Sequence, residues 1–217
     1  MVTAIDNSPI NAIFLISLLS LLPIIFVMTS SFIKISMVML LTRESLGVQQ
    51  IPPNIVIYSL SLVLSFYVMG PVYNNTIKAM SVSAPTTGNA LLEAISASTD
   101  ETKKFLLHQT PYPQQQFFYQ SLKEFWTPEM MKHVKADDLV VLVPAFMVSE
   151  ITKAFKIGFL IYLPSVIIDI IVSNILMAMG MMMMSPQTIS LPIKLLLFIT
   201  LDGWARLIHA LLGSYVI

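Results

Sequence analysis

Hydrophobic residues along this chain fall into four stretches, separated by two short polar loops and one long polar region. The stretches cover residues 13–41, 55–72, 139–184 and 189–216. Each is close to, or longer than, the length of about 20 residues that a helix needs to cross a bilayer. The pattern predicts an all-α membrane protein built from kinked helical hairpins.

The only sustained polar region covers residues 73–138, between the second and third stretches. It starts with "SVSAPTTGNALL", which is typical of a loop, and continues as short helices interrupted at Pro111, Pro113 and Pro128. We therefore expect an N-terminal hydrophobic hairpin over residues 1–72, a small polar helical domain over 73–138, and a C-terminal hydrophobic hairpin over 139–217.

Aromatic residues cluster in the second half of the polar region. Helical spacing favours the interpretation that they form the core of the small domain. The alternative is a docking face for neighbouring subunits. The residues concerned are Phe117, Phe118, Tyr119, Phe125 and Trp126.

Composition places the chain in the membrane class, with 56% hydrophobic residues, 11% charged residues and a mean hydropathy of +0.79. A soluble domain carries about a quarter charged residues. The formal net charge of zero gives no indication of a nucleic-acid partner or a polybasic membrane anchor. No cysteine is present, which excludes disulfides and thiolate sites. The N-terminal "MVTAIDNSP" lacks the basic segment of a cleaved signal peptide, so we expect the first hydrophobic stretch to be retained.

Charged residues occur inside the hydrophobic stretches, at Lys34, Glu150, Lys153, Lys156 and Asp169. A charge in a spanning helix costs about 2.5–3.5 kcal/mol on insertion scales, unless it faces a partner, a water-filled cavity or an opposite charge. These charges predict a subunit that is buried in an assembly. Glu150 is either a proton-relay carboxylate or half of an ion pair, and Lys153, three residues further along the helix, is its simplest partner.

The third stretch also contains two residues that are unfavourable in a helix, Gly158 and Pro164. Pro164 predicts a kink or a break in the helix, and the backbone groups that it frees need protein or water around them.

The most unusual short segment is "MAMGMMMMSPQTISLP", which contains Met181, Met182, Met183 and Met184 in succession. The preceding glycine and the following Ser-Pro pair predict a turn. Methionine is flexible and polarizable, so the turn carries deformable apolar side chains. Packing filler is one interpretation. A Cu(I) thioether site is disfavoured, because consecutive side chains diverge and no Cys or His lies nearby.

Other chemistry has little support in the sequence. His108, His133 and His209 are scattered, without the spacing of metal ligands. No nucleophile–base constellation or Gly-rich phosphate loop is present. We therefore predict no enzymatic activity, no metal and no cofactor.

Several motifs together resemble those of the FliP/SctR family, the export-gate subunits of flagellar and virulence type III secretion systems. They are "SFIKISMVMLL", "LGVQQIPPN" and the long segment "LVPAFMVSEITKAFKIGFLIYLPSVIIDIIVSNILMAMGMMMMSPQTISLPIKLLLFITLDGW". The resemblance covers nearly the whole chain and is weakest over residues 73–138. The short length and the absent signal peptide are more similar to the virulence, or injectisome, branch.

The resemblance implies a homo-oligomer, a pentamer, that assembles in the inner membrane with two smaller membrane subunits and contacts inner rod and needle-base components. The assembly would be the entry channel for unfolded secreted proteins. Met181, Met182, Met183 and Met184 would form its gasket. Lys194 matches a lysine that the resemblance implies to pair with the glutamate at Glu150 and to hold subunits together. The pairing would form either between staggered copies or within one chain.

Orientation follows from the short loops, whose basic bias favours the cytoplasm, so that the polar domain and both termini are expected on the periplasmic side. Two other functions remain open at this point. One is a proton-coupled small-solute transporter using Glu150 and Asp169, although no inverted repeat is visible. The other is a scaffold subunit without a pore-lining surface.

Overall fold

A computed structural model of the protein describes residue 17 and residues 20–48, 50–82, 90–181 and 183–215. These residues fold into α-helices joined by turns, with no strand among them, which confirms the predicted all-α class.

The described part of the first hydrophobic stretch forms two helices, α1 (Leu22–Thr29) and α2 (Phe32–Ser45). Ser30 adopts an extended backbone, with φ −114° and ψ 172°, which interrupts the helical hydrogen-bond ladder. The chain consequently bends by 78° between the two helices. Lys34, which the sequence places inside one long apolar run, therefore lies in the first turn of a new helix.

Helix α3 (Asn54–Val82) is 29 residues long and continues through Pro71 into the polar region. Its first part, Asn54–Asn75, is long and apolar enough to cross a membrane. The loop before it is held by Arg43, whose Nη1 donates to the Pro52 carbonyl oxygen at 3.1 Å and to Asn54 Oδ1 at 2.6 Å.

The polar region contains α4 (Ala90–Gln109), α5 (Tyr112–Phe125) and α6 (Pro128–Met131). Helix boundaries fall at Pro111 and Pro128, as predicted. Pro113 instead lies in the first turn of α5, where a proline removes no helical hydrogen bond. Most of the predicted loop lies outside the described residues, because its residues 83–89 are not among them.

The prediction that the aromatic cluster forms the core of the polar domain is wrong for the single chain. Helix α5 has no buried residue, and Phe117 and Phe125 are 63% and 82% exposed. Its amphipathic spacing reflects one apolar face, but the described residues of the chain do not cover that face. The nearby core is formed by α4 instead, where Phe105 packs edge-on against Phe146 at a centroid distance of 5.8 Å.

Ion pairing holds α4 to the segment that precedes the next helix. Lys103 Nζ lies 2.7 Å from Asp137 Oδ2. This hydrogen bond lowers the pKa of Asp137 and raises the pKa of Lys103.

Helix α7 (Leu139–Ala178) is 40 residues long and is the second helix that is long and apolar enough to cross a membrane by itself. It runs through Pro164 without a break, so of the kink or break predicted there, the break is wrong. One missing N–H removes a single bond from a long ladder, and the rest of the helix remains hydrogen-bonded. At about 1.5 Å per residue, α7 is roughly 60 Å long, well beyond a hydrocarbon core of about 30 Å.

The last hydrophobic stretch is again two helices, α8 (Pro186–Thr200) and α9 (Gly203–Gly213), bent by 61°. Asp202 lies at the bend with a left-handed φ of 53°. Counting each bent pair as one span, the described residues contain up to four candidate membrane spans by length and composition.

The chain divides into two compact units, one comprising Met1–Ser31 and Met69–Ser149 and the other Phe32–Val68 and Glu150–Ile217. Helices α3 and α7 contribute residues to both. All the charged and methionine residues singled out in the sequence belong to the second unit. The division into three segments by polarity stays a prediction.

Candidate functional site: the methionine turn and the buried charges

The methionine turn is built on a precise helix ending. Met181 N donates to the Leu176 carbonyl oxygen and Gly180 N to the Met177 carbonyl oxygen, both at 3.0 Å. This pair of bonds is a Schellman motif, which requires a left-handed residue after the helix. Gly180 provides it with a φ of +74°, which costs a glycine little. The predicted turn is therefore confirmed, and its glycine has a specific role in it.

The described methionine side chains of this turn are exposed. Met181 and Met184 are 38% and 40% exposed, and Met183 is fully exposed. Met182 lies outside the described residues. The chain leaves Ser185 in an extended conformation and Pro186 starts α8, so the turn is short and is fixed at both ends. Within the single chain these three side chains do not fill an internal gap.

Glu150 is the most deeply buried charge, with an exposed fraction of 0%. Lys153 Nζ lies 2.7 Å from its Oε1, one turn along α7, as the simplest sequence interpretation predicted. Lys34 Nζ lies 3.4 Å from its Oε2, and Lys34 is itself only 1% exposed. Each of these opposite charges offsets part of the cost of burying the carboxylate in an apolar interior.

Tyr215 completes this cluster, and the sequence analysis did not find it. Its hydroxyl donates a hydrogen bond to Glu150 Oε2, and its ring centroid lies 3.4 Å from Lys34 Nζ, in a cation–π arrangement. Tyr215 follows α9, 65 residues away from Glu150. No periodicity or spacing could have indicated a contact over that separation. The first cue available in the sequence is a lone tyrosine at the end of the fourth hydrophobic stretch.

A second ion pair joins the arms of the C-terminal hairpin. Lys194 Nζ on α8 lies 2.6 Å from Asp169 Oδ2 on α7, and Lys194 is only 7% exposed. Asp169, left without a partner in the sequence analysis, therefore has one. Lys194 and Glu150, predicted to pair with each other, have different partners within the chain. Their pairing between subunits stays a prediction, since the structure contains one copy.

A polar cleft of about 470 Å³ lies beside the Asp169–Lys194 pair. The chain turns there with left-handed residues at Gly47 and Gln50. The segment "LGVQQIPPN" thus borders the hairpin that carries the methionine turn. The cleft is lined by Arg43, Glu44, Gln50, Tyr162, Gln187 and Ser190, among others.

Lys156 differs from the three lysines of these helices that are paired within the chain. It is exposed on α7 and makes no hydrogen bond or ion pair with any residue that the structure describes. Lys34, Lys153 and Lys194, in contrast, each have a carboxylate within 3.4 Å.

Apolar helices long enough to cross a membrane, ion pairs buried between them and an exposed methionine turn define a multi-pass helical membrane protein. Among the described residues, no group of three His, Asp or Glu side chains is placed to hold a metal ion. Comparison with known proteins identifies the family within this class. The FliP family matches residues 15–211, and the chain belongs to that family.

Relatives of similar length support the same assignment. The Yop proteins translocation protein R of Yersinia pestis is 49% identical over 210 residues, which cover 95% of this chain and 96% of that protein. The harpin secretion protein HrcR of Erwinia amylovora is 40% identical over 210 residues, 96% and 97% of the two chains. The virulence protein YscR of Salmonella typhimurium is 41% identical over 216 residues, 98% and 99% of the two chains.

These matches confirm the resemblance found in the sequence motifs, including its injectisome branch. The chain is a bacterial inner-membrane subunit of the type III protein secretion apparatus, and it is not an enzyme. Nothing in these relatives supports the small-solute transporter that the buried carboxylates left open.

Proposed function

We propose that this chain assembles with copies of itself, as a pentamer, and with two smaller membrane subunits into the entry channel for unfolded secreted proteins. Met181, Met182, Met183 and Met184 would line its narrowest part. The observation that carries the proposal is the methionine turn, a hydrogen-bonded bend whose described methionines are exposed. Relatives named for the translocation of Yop proteins and the secretion of harpin support proteins as the transported substrates.

Methionine suits such a constriction for a physical reason. A ring of apolar side chains makes water unfavourable in a narrow pore and so blocks ions by dewetting. The thioether side chain has three rotatable bonds and adapts to irregular shapes, so it can move aside for a polypeptide of any sequence. Stiffer β-branched residues would seal around a passing chain less completely.

The proposed orientation has the polar region and both termini on the periplasmic side and the methionine turn away from it. A cysteine at Gln120, in the exposed α5, should react with a membrane-impermeant thiol reagent in intact cells, and a cysteine at Ser185 should not. Labelling of Ser185→Cys alone would reverse the orientation. Because the chain has no cysteine of its own, the background is low.

The channel proposal is tested by truncating the described methionines of the turn in a variant with Met181→Ala, Met183→Ala and Met184→Ala. We expect the assembled variant to leak ions or small solutes across the inner membrane, because shorter side chains leave an opening that water can enter. The measurement is small-solute uptake at matched abundance of the complex. A control variant with Met130→Ala and Met131→Ala, in the polar region, should show no increase in small-solute uptake.

Two outcomes would contradict the gasket. One is a fully assembled variant with normal permeability. The other is a variant that loses assembly without leakage, as expected if the methionines fill cavities in the complex, where each buried Met→Ala change costs about 2–5 kcal/mol.

A further inference from the structure

The methionine turn leaves α7 through one residue, Gly180, whose backbone is left-handed with a φ of +74°. Two hydrogen bonds that end the helix depend on this conformation. One joins Gly180 N to the Met177 carbonyl oxygen at 3.0 Å. The other joins Met181 N to the carbonyl oxygen of Leu176, also at 3.0 Å. Leu176 is only 5% exposed, so the turn is attached to a packed part of α7.

The methionines follow Gly180 directly, and further backbone hydrogen bonds fix their course. Met184 N donates to the Met181 carbonyl oxygen at 3.3 Å, which closes a turn between these two residues. Met183, between them, has a fully exposed side chain. Thr188 N donates to the Ser185 carbonyl oxygen at 3.1 Å, where α8 begins. The direction of the methionine side chains therefore depends on the conformation in which the chain leaves α7.

Space is not what requires a glycine at position 180. A Cβ built there meets no heavy atom of the described residues within 4 Å, apart from the backbone next to it. An L-residue with a side chain nevertheless adopts the left-handed region roughly 5–30 times less readily, because its Cβ approaches the following carbonyl oxygen. Asparagine tolerates this region better than other residues with a side chain and also ends helices in this way. A substitution of Gly180 thus acts mainly through the backbone conformation.

We propose that Gly180 is the positioning residue of the methionine gasket. Its left-handed conformation, and not its small size, directs the methionines into the channel. This inference rests on the proposed gasket. A residue that leaves the left-handed region breaks the two hydrogen bonds to α7, and the methionines then follow a different course. An apolar constriction excludes water only while it is narrow, so displaced side chains should let water and ions enter.

The test measures small-solute uptake by cells at matched abundance of the assembled complex. Gly180→Ala should raise uptake about threefold or more, because alanine disfavours a positive φ. Gly180→Val should raise it further, since a β-branched residue tolerates a positive φ least. Gly180→Asn should stay within about twofold of the unmodified chain, although its side chain is larger than that of alanine.

Gly47 provides the matched control for loss of stability. It has a φ of +75°, and a Cβ built there also meets no heavy atom of the described residues within 4 Å, apart from the adjacent backbone. Gly47→Ala therefore imposes the same backbone strain at a different turn. We expect Gly47→Ala and Gly180→Ala to lower the thermal midpoint of unfolding by similar amounts, and only Gly180→Ala to increase uptake.

Three results would overturn the inference. One is equal uptake in Gly180→Ala and Gly180→Asn, whether raised or normal, because the left-handed conformation would then be irrelevant to the seal. Another is equal leakage in Gly47→Ala, since a general loss of stability would then explain the effect. The third is failure of Gly180→Ala to assemble while Gly47→Ala assembles, because the glycine would then serve assembly and not the seal.

Failure of the proposed gasket itself gives a different result. If the variant with Met181→Ala, Met183→Ala and Met184→Ala shows normal uptake, the gasket and the role of Gly180 both fail. If that variant leaks while Gly180→Ala shows normal uptake, only the role of Gly180 fails.

Discussion

Glu150 has three in-chain partners, which join three separate segments of the second unit. Two ammonium groups and one hydroxyl converge on its two oxygens, contributed by α2, α7 and the segment after α9. Removing one partner of a buried ion pair is costly, because the other is left charged in an apolar environment. The same contacts show why Glu150 is poorly placed to act as an open proton relay, since it is completely shielded from solvent in the chain.

The contribution of the Tyr215 hydroxyl to stability can be tested by removing that single oxygen atom. Tyr215→Phe keeps the ring over Lys34 and removes only the hydrogen bond to Glu150. We expect a loss of about 1.5–3 kcal/mol in stability, as for a hydrogen bond to a charged group. Thermal unfolding of the purified protein in detergent measures it. Tyr162→Phe, at an exposed tyrosine, is the control, and equal effects of the two changes would contradict the assigned contact.

The in-chain and inter-subunit pairings of Glu150 are separated by double-mutant cycles. Glu150→Gln should cost about 3–5 kcal/mol, since it leaves Lys34 and Lys153 without their anion. We expect strong coupling between Glu150 and Lys34 in the unassembled protein. The predicted pairing between subunits requires coupling of Glu150 to Lys194 that is present only in the assembled complex. Zero coupling in the assembled complex would mean that Lys194 pairs only with Asp169.

At the scale of elements, the contact between α2 and α7 depends on a missing side chain. Gly158 is buried, and a Cβ built there would overlap the side chain of Leu41. The two helices therefore approach more closely at this position than a larger residue allows while Leu41 keeps its place. This approach also brings Lys34 on α2 to the helix that carries Glu150.

Gly158→Ala should consequently destabilise the protein by about 1–3 kcal/mol, the usual cost of overpacking. Adding Leu41→Ala should recover part of the loss by making room. Gly70→Ala is the control, because its Cβ meets open space and alanine is the better helix former. Thermal midpoints of these three variants and of the unmodified protein test the prediction. A stabilising Gly158→Ala would show that the helices are not in close contact.

At the scale of the whole molecule, much of the chain's apolar surface is uncovered. The exposed large residues of α7 include Phe159 and Leu160, and the aromatic face of α5 is also open. Exposed apolar patches of this extent mark surfaces for lipid or for partner proteins. The charge of Lys156 among them favours protein over lipid for part of that area.

Expressed without other subunits, the chain should therefore form a detergent-stable oligomer. Mass measurement by light scattering, together with low-resolution images, should show a ring with a central channel. The variant with Met181→Ala, Met183→Ala and Met184→Ala should assemble equally well, since those side chains are proposed to face the channel. A monodisperse monomer in mild detergent would count against the channel proposal.

Much of the architecture was determined by the sequence itself. Four apolar stretches, prolines at the helix boundaries of the polar region and a Gly-Met turn are local signals, and local backbone preferences are sufficient to place them. The motifs also identified the family correctly. The breaks at Ser30 and Asp202 were missed, because neither residue is a strong helix breaker and only packing determines where such helices end.

The pairing of charges was decided by tertiary structure. The pairing of Asp169 with Lys194 follows almost directly from the hairpin, since both residues lie at similar distances from the turn. Lys34, Glu150 and Tyr215, in contrast, are brought together from three distant parts of the chain. A sequence shows which charges need partners, because the cost of burying a charge depends on the residue and its apolar neighbours. It does not show which partner each one obtains, because that depends on how helices far apart in sequence pack against one another.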